Sequence, residues 1–388
     1  MWRSENRILT THAGALPRSP DLTRLVRARA NGAKVDEAEL ATKLRDEVAS
    51  IVRQQVACGV DIVNDGELAK TNFNNYCAER LTGFESRPYV EGKSPQGLTI
   101  ASRDAKKFPE YFQLEVSGFA RFRKPEMQVF CNGPLEYIGH AALATDIANF
   151  RAALNGAGAT GAYLPANTPG TIEHWMFNDH YKTQEEFLFA IAECMREEYR
   201  AIVDAGFELQ IDDPDLPDGW LMYPDMSVKD YRAYARLRID ALNHALRDIP
   251  KDKIRLHVCW GSFHGPHHDD IPLRDIIDMI LSVRAMSFSI EASNAAHEHE
   301  WRVFEDVKLP DGAVLIPGVI GHSSDFIEHP ELVAQRLVRY ANLVGRENVI
   351  AGTDCGIGPR VGHAKIAWAK LEAKRKGADL ATRELWGR

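Results

Sequence analysis

Residues 255–270 read RLHVCWGSFHGPHHDD, which places His257 and Cys259 two positions apart at the end of an apolar run. On a β-strand, residues i and i+2 share a face, so this imidazole and this thiol project together. Farther on, SFSIEAS ends in Glu291 and IAGTDCG delivers Cys355. Two thiolates, one imidazole and one carboxylate make a tetrahedral Zn2+ set, and three fixed ligands with a displaceable fourth suit a catalytic site. A purely structural zinc more often uses clustered CxxC pairs, and the chain has none. A plainer reading exists beside this one. An HxC pair can be strand packing, Glu291 can cap a helix, and Cys355 can be a small apolar residue in a turn. What favours the metal is that three separate strand ends each supply a competent ligand.

Other strand ends carry polar groups as well: Asp65-Gly66-Glu67 after VDIVN, Asp212 and Asp213 after FELQI, and His322 after LIPGVIG. His264, His267 and His268 share a loop with Asp269 and Asp270. Solvent exposure is enough to explain these three, and no second metal is expected there. GAGATG at 156–161 spells GxGxxG, but it follows a helical pattern and precedes a strand. That is the reverse of a dinucleotide-binding turn, so it reads as a helix-ending loop. Neither a P-loop lysine motif nor a GxSxG elbow is present.

The elements that must position these groups repeat one theme: a short apolar run, a polar or glycine-rich turn, then a helical pattern. Residues 35–58 show a 3.6-residue period and lead through Gly59 into VDIVND. TQEEFLFAIAECMREEYRAIVDAG precedes FELQIDD, DYRAYARLRIDALNHAL precedes KIRLHVCW, and IPLRDIIDMILSV precedes AMSFSIEAS. AVLIPGVIG, a helix over 330–344, NVIAGTD and a helix over 362–376 close the series. Such alternation implies a parallel sheet with helices outside it. Strand candidates begin near residues 8, 60, 128, 160, 207, 254, 285, 313 and 348. A (β/α)8 TIM-type barrel needs one fewer, which makes the run near 128 surplus. The expectation is a single barrel domain over 1–388, with an open doubly wound sheet as the alternative. Residues 84–125 break the rhythm with an aromatic-rich insertion, read as a lid over the barrel mouth or as a surface excursion. In a parallel barrel the strand C-termini carry the chemistry, and the polar groups above all fall there.

Composition narrows the function classes. The net charge of −8 argues against nucleic acid and anionic membranes as partners. No run of eighteen apolar residues exists, and the opening MWRSENRILTTHAG has no stretch suited to a signal peptide. Six dispersed cysteines do not form a disulfide framework. A cytoplasmic protein with thiols free for packing or for metal is expected.

In order along the chain, TTHAGALPRS, DIVNDGELAKTNFNNYCAERLTGF, LQIDDPDL, HVC, SIEAS, PGVIGHSS and GTDCG resemble the catalytic C-terminal domain of cobalamin-independent methionine synthase. A form without the extra N-terminal barrel of the long enzymes is expected. The chain is similar to the shorter stand-alone forms, a group that includes epoxyalkane:coenzyme M transferase. The resemblance implies a (β/α)8 barrel, zinc held by His257, Cys259, Glu291 and Cys355, and alkylation of a zinc-bound thiol. It implies that His322 donates a proton to the leaving group, and that Asp212 and Glu67 hold a substrate amino group. The implied partners are a small thiol such as homocysteine and an alkyl donor: a methyl-folate, a methyl-corrinoid or an epoxide. An S-methyltransferase is therefore expected first, and a transferase in which the thiolate opens an epoxide second. A zinc-binding barrel without catalysis is the alternative of another class. Two departures bear on the thiol: Ala15 stands where the family has a serine that contacts homocysteine, and Asp213 replaces the glutamate of the IDEP-type motif. His12, in the same opening turn as Ala15, is a further difference from the long enzymes.

Overall fold

A computed structural model describes residues 1–73, 75–90, 102–113, 127–358 and 360–387. Its strands, in chain order, are β1 (Leu9–Thr10), β2 (Ile62–Val63), β3 (Phe84–Pro88), β4 (Met127–Cys131), β5 (Gly161–Asn167) and β6 (Met176–Asn178). They continue with β7 (Glu208–Asp212), β8 (Ile254–Val258), β9 (Ser287–Ile290), β10 (Val314–Pro317) and β11 (Ile350–Ala351). A parallel sheet runs in the order β2-β5-β7-β8-β9-β10, and β1 pairs in parallel with β11. The two pieces meet along both edges. Parallel bridges join Leu315 to Val349 and Gly318 to Gly352. On the other side, the Asp61 amide donates to the Thr10 carbonyl at 3.0 Å, and Thr11 Oγ1 donates to the Ile62 carbonyl at 3.0 Å.

The sheet is curled. Leu9, Ile62, Tyr163, Val314, Ile316 and Ile350, from its two ends, pack into one buried cluster on the concave side. Every residue of β7, β8, β9 and β10 is buried, as expected when helices cover the convex face. The covering helices follow their sequence signals. Thr183 caps helix Gln184–Asp204 by accepting from the Glu186 amide, and Phe187, Leu188, Ile191, Met195 and Ile202 form its inner stripe. Asp36 and Ser227 cap Glu37–Ala57 and Val228–Ala245 in the same way.

Two expectations meet the structure differently. The run near 128 forms β4, which joins β3 and β6 in a separate three-stranded sheet, so it is surplus to the parallel sheet as expected. IPLRDIIDMILSV does not form a full helix. It is a 3-10 turn at Leu273–Asp275 followed by Ile277–Ile280, with Ile276 at φ −131° between them. Its apolar residues reach the core from this irregular path, so burial is satisfied without helical period.

Of the insertion at 84–125, residues 91–101 and 114–125 lie outside the described residues. The piece between them sits on the loops that follow β7 and β8. Arg103 donates to the carbonyls of Trp220, Tyr223 and Met226, and its guanidinium lies 3.4 Å from the Trp220 ring centre. Asp104 accepts from the amides of His268 and Asp269 at 3.3 and 3.2 Å. GAGATG links helix His140–Leu154 to β5, a helix-ending loop as read from the sequence.

Candidate functional site

β8 ends by presenting His257 and Cys259 on one face, both buried. The segment after β11 brings Cys355 to them. The His257 ring nitrogens and the two sulfurs supply one ligand atom each, all within 4.8 Å of one another. Cys259 Sγ donates to Cys355 Sγ at 3.6 Å, and Ser262 Oγ donates to Cys355 Sγ at 3.1 Å. The Cys259 thiol first, and the neighbouring His257 imidazole after it, hold Cys355 well below the ordinary thiol range despite its burial. Cys259 is raised well above it by the same partnership. One thiolate is thus already favoured beside one thiol. His257 Nδ1 sits 3.3 Å from Ser289 Oγ, while Nε2 is buried without a hydrogen-bond partner.

This donor set fits a zinc ion. Two Zn–S bonds of about 2.3 Å at a tetrahedral angle span roughly 3.8 Å, close to the observed sulfur separation. A buried imidazole nitrogen with no partner is costly unless something ligates it. Nδ1 donating to Ser289 leaves the Nε2 lone pair free, which is the tautomer a metal ligand requires.

Glu291 ends β9 in the neighbouring position, but its carboxylate groups with His322 and Asp354 rather than with the three ligands above. Its Oε2 accepts from the Trp260 amide at 2.8 Å and its Oε1 from Asn294 Nδ2 at 2.9 Å. Trp260 directly follows Cys259, so one backbone link separates the carboxylate's anchor from a sulfur. His322 is 1 % exposed, and neither ring nitrogen has a hydrogen-bond partner. Asp354 accepts from the Ala292 and Ser293 amides at 2.8 and 2.9 Å. Burial, then the Glu291 charge, raises it above the usual carboxylate range. Gly318 makes room for it: a Cβ there would lie 2.1 Å from Asp354 Oδ1.

Asp212 ends β7 in register with His257 and accepts from Gln210 Nε2 at 2.6 Å. Burial raises it, and the Glu67 charge adds to that. Glu67 follows β2 at φ 57° and pairs with Lys70 Nζ at 3.1 Å. Gly14 lies against it, where a Cβ would come within 2.4 Å of Glu67 Oε1. His12, from the same opening turn, faces inward. Its Nε2 is 2.8 Å from Gln55 Oε1 and its carbonyl accepts from Tyr163 Oη at 2.6 Å, and burial lowers it to about 3. It is a neutral structural histidine.

Sequence reasoning passed over three groups. Asp354 was hidden by its adjacency to Cys355, and Ser262 carried no spacing signal. The third is the HGPHHDD loop, read as solvent-exposed. The side chain of its His267 is only 9 % exposed, with Nδ1 2.8 Å from Asp270 Oδ2. The same carboxylate oxygen meets His297 Nε2 at 2.8 Å, and the His297 ring stacks on Trp260 at 3.9 Å. The Asp270 charge outweighs burial and raises His267 to about 9; Asp270 with Glu300 raises His297 to about 10. Its missed signal was His297, far along the chain in a helical turn.

Comparison with known proteins places this geometry. Residues 8–91 and 110–379 match the cobalamin-independent synthase catalytic-domain family. A protein of Thermococcus kodakarensis named methionine synthase is 25 % identical over 377 residues, covering 97 % of this chain and 94 % of its own. A Sulfolobus acidocaldarius protein of the same name is 26 % identical over 383 residues, with 97 % and 93 % covered. The fold is similar to that of a B12-independent methionine synthase from Shewanella sp. W3-18-1, solved in complex with selenomethionine. That match has a TM-score of 0.74 and 20 % identity, covering 98 % of this chain and 100 % of that one. A structure from Listeria monocytogenes titled as a putative vitamin-B12 independent methionine synthase aligns with a TM-score of 0.64 at 16 % identity, over 97 % and 99 % of the two chains. By the extent of the family match, the chain belongs to the cobalamin-independent synthase family and carries its catalytic domain.

Proposed function

We propose that this protein is a zinc-dependent thiol S-methyltransferase built on a closed, single-domain (β/α)8 barrel. Support for closure comes from the bridges and hydrogen bonds along both sheet edges and from the interior cluster drawn from both sheet ends. Support for methyl transfer comes from family membership and from relatives named methionine synthase. The observation that carries the zinc reading is the cluster of His257, Cys259 and Cys355, whose unpartnered Nε2 and paired sulfurs suit the ion.

Bound there, the metal supplies one chemical service: it keeps a substrate thiol ionised near neutral pH while leaving it nucleophilic. The chain's residues do the rest. Ser289 orients His257, and Ser262 donates to Cys355. Glu291 stands apart with His322 and Asp354, held by the Trp260 amide one peptide from Cys259, and would join the set as its oxygen ligand only on leaving that amide. His322 holds a proton on one of its unpartnered nitrogens for the departing group, which a tertiary amine donor requires. Asp212 and Glu67 face the substrate's polar end. The alkyl donor in this reading is a methyl-folate or methyl-corrinoid, and homocysteine is the first thiol to try. Two free thiols this close are open to disulfide formation in an oxidising compartment, so the pair suits the cytoplasm.

Cobalt(II)-loaded protein titrated with thiols tests the reading through thiolate-to-metal charge-transfer absorption. A saturable rise with one thiol is expected, at one metal per chain. A cobalt spectrum that ignores every thiol, or full metal retention in Cys355→Ala, overturns it.

A further inference from the structure

Trp260, the residue after Cys259, is fully buried and pinned at three points. Its amide donates to Glu291 Oε2 at 2.8 Å, its indole Nε1 donates to the Ile271 carbonyl at 2.8 Å, and its ring stacks on His297 at 3.9 Å and 22°. His297 lies on the segment after β9, six residues beyond Glu291. Each of its ring nitrogens meets a carboxylate oxygen at 2.8 Å, Nε2 at Asp270 Oδ2 and Nδ1 at Glu300 Oε2. An ionised carboxylate only accepts, so both nitrogens carry hydrogen and the ring is an imidazolium. An indole is the aromatic surface on which such a cation rests best. The backbone of His297 holds the other side: its amide donates to the Asn294 carbonyl at 2.8 Å, and Asn294 Nδ2 donates to Glu291 Oε1 at 2.9 Å.

His297 thus stands behind both hydrogen bonds that keep the Glu291 carboxylate with His322 and Asp354, away from the sulfurs. One is supported through the Trp260 ring and the other through the Asn294 backbone. A carboxylate freed from those donors has the metal as its alternative partner. We propose that His297 is a positioning residue for the metal centre: by clamping Trp260 it keeps Glu291 on the Trp260 amide, so that the ion has three protein ligands and an open position for the thiol. This rests on the zinc–thiol reading above and names what keeps the fourth position free. No covalent step is involved.

The test measures two affinities on wild type, His297→Gln and Trp260→Phe: cobalt(II) against a competing chelator, and 2-mercaptoethanol on the cobalt-loaded protein by charge-transfer absorption. His297→Gln is expected to bind cobalt about ten- to a hundredfold more tightly, because Glu291 joins the ion once a charged hydrogen bond no longer restrains it. It binds 2-mercaptoethanol more weakly by a similar factor, since the thiol must then displace the carboxylate. A merely structural lesion weakens both. In a Glu291→Gln background, with no carboxylate to release, the His297→Gln effects vanish. Trp260→Phe weakens the stack, moves both affinities in the same directions by less, and stands in should His297→Gln not fold. Any other pattern, including effects that persist without Glu291, overturns the proposal. If cobalt does not bind, the zinc reading fails by itself. Amide exchange in metal-free protein labelled with nitrogen-15 tryptophan then decides for His297. The Trp260 amide, identified by its loss in Trp260→Phe, is expected to exchange about tenfold faster in His297→Gln, and an unchanged rate refutes the clamp.

Discussion

Cys259 and Cys355 stand 96 residues apart in sequence and bring their sulfurs to 3.6 Å, with His257 on the same strand as the first. Each sulfur reports on the other: the thiol of one stabilises the thiolate of the other. Removing either should therefore disable both. Cys259→Ala, Cys355→Ala and His257→Ala are each expected to weaken zinc binding by more than the roughly 10–100-fold that loss of a supporting hydrogen bond costs. Elemental analysis after dialysis against a graded chelator reads this directly, and Ser289→Ala, which touches only the outer nitrogen of His257, should lose about 10–100-fold.

His322 separates binding from chemistry. It stands with Glu291 and Asp354 and not with the sulfurs, so His322→Asn should leave thiol binding to the cobalt protein intact. Turnover is expected to fall about 10²–10⁴-fold, the usual contribution of a positioned acid. A variant that loses thiol affinity while keeping its turnover would assign His322 to substrate binding instead.

The His267–Asp270–His297 cluster makes an alkaline-side prediction about stability. Both histidines are raised, to about 9 and about 10, from an unfolded value near 6.5. Groups raised on folding bind protons more tightly in the native state, so their stabilisation is complete below about pH 6.5 and disappears as pH rises through 9 to 10. The loss is on the order of 3 kcal/mol for the pair, less than additive because they share Asp270. Melting temperatures measured from pH 6 to pH 10.5 should fall steadily in the wild type and much less in Asp270→Asn, which starts lower. A flat wild-type profile would mean that the histidines are neutral.

Lys70 and Glu67 form a buried pair at 3.1 Å, with the Lys70 Nζ also donating to the Pro165 carbonyl at 2.8 Å. Lys70→Met strips the partner from a buried carboxylate and is expected to cost about 3–5 kcal/mol in urea unfolding. Replacing both, Lys70→Met with Glu67→Gln, should recover most of that loss, since the penalty comes from the uncompensated charge. Equal destabilisation by the single and double variants would show that packing of the lysine stem dominates.

Local signals determined much of this protein. Apolar runs ending in His257-x-Cys259, Glu291 and Cys355, alternating with capped helices such as Gln184–Asp204, were legible because strand period and N-caps act over a few residues. So was the surplus run near 128, because nine strand candidates exceed the eight that a (β/α)8 barrel needs. Tertiary structure decided what those signals could not. Whether Glu291 joins the sulfurs or turns to the Trp260 amide depends on groups from β8 and from the loop beyond β9, and no spacing along the chain encodes that choice. The apolar stretch at 271–283 shows the same limit, because the core accepts its side chains without requiring a helix. That the His267 side chain is mostly covered could be recognised only once His297, thirty residues later in number, was seen to share its carboxylate. Composition within one loop predicts exposure, whereas a charge is retained in the interior when distant segments bring it a partner.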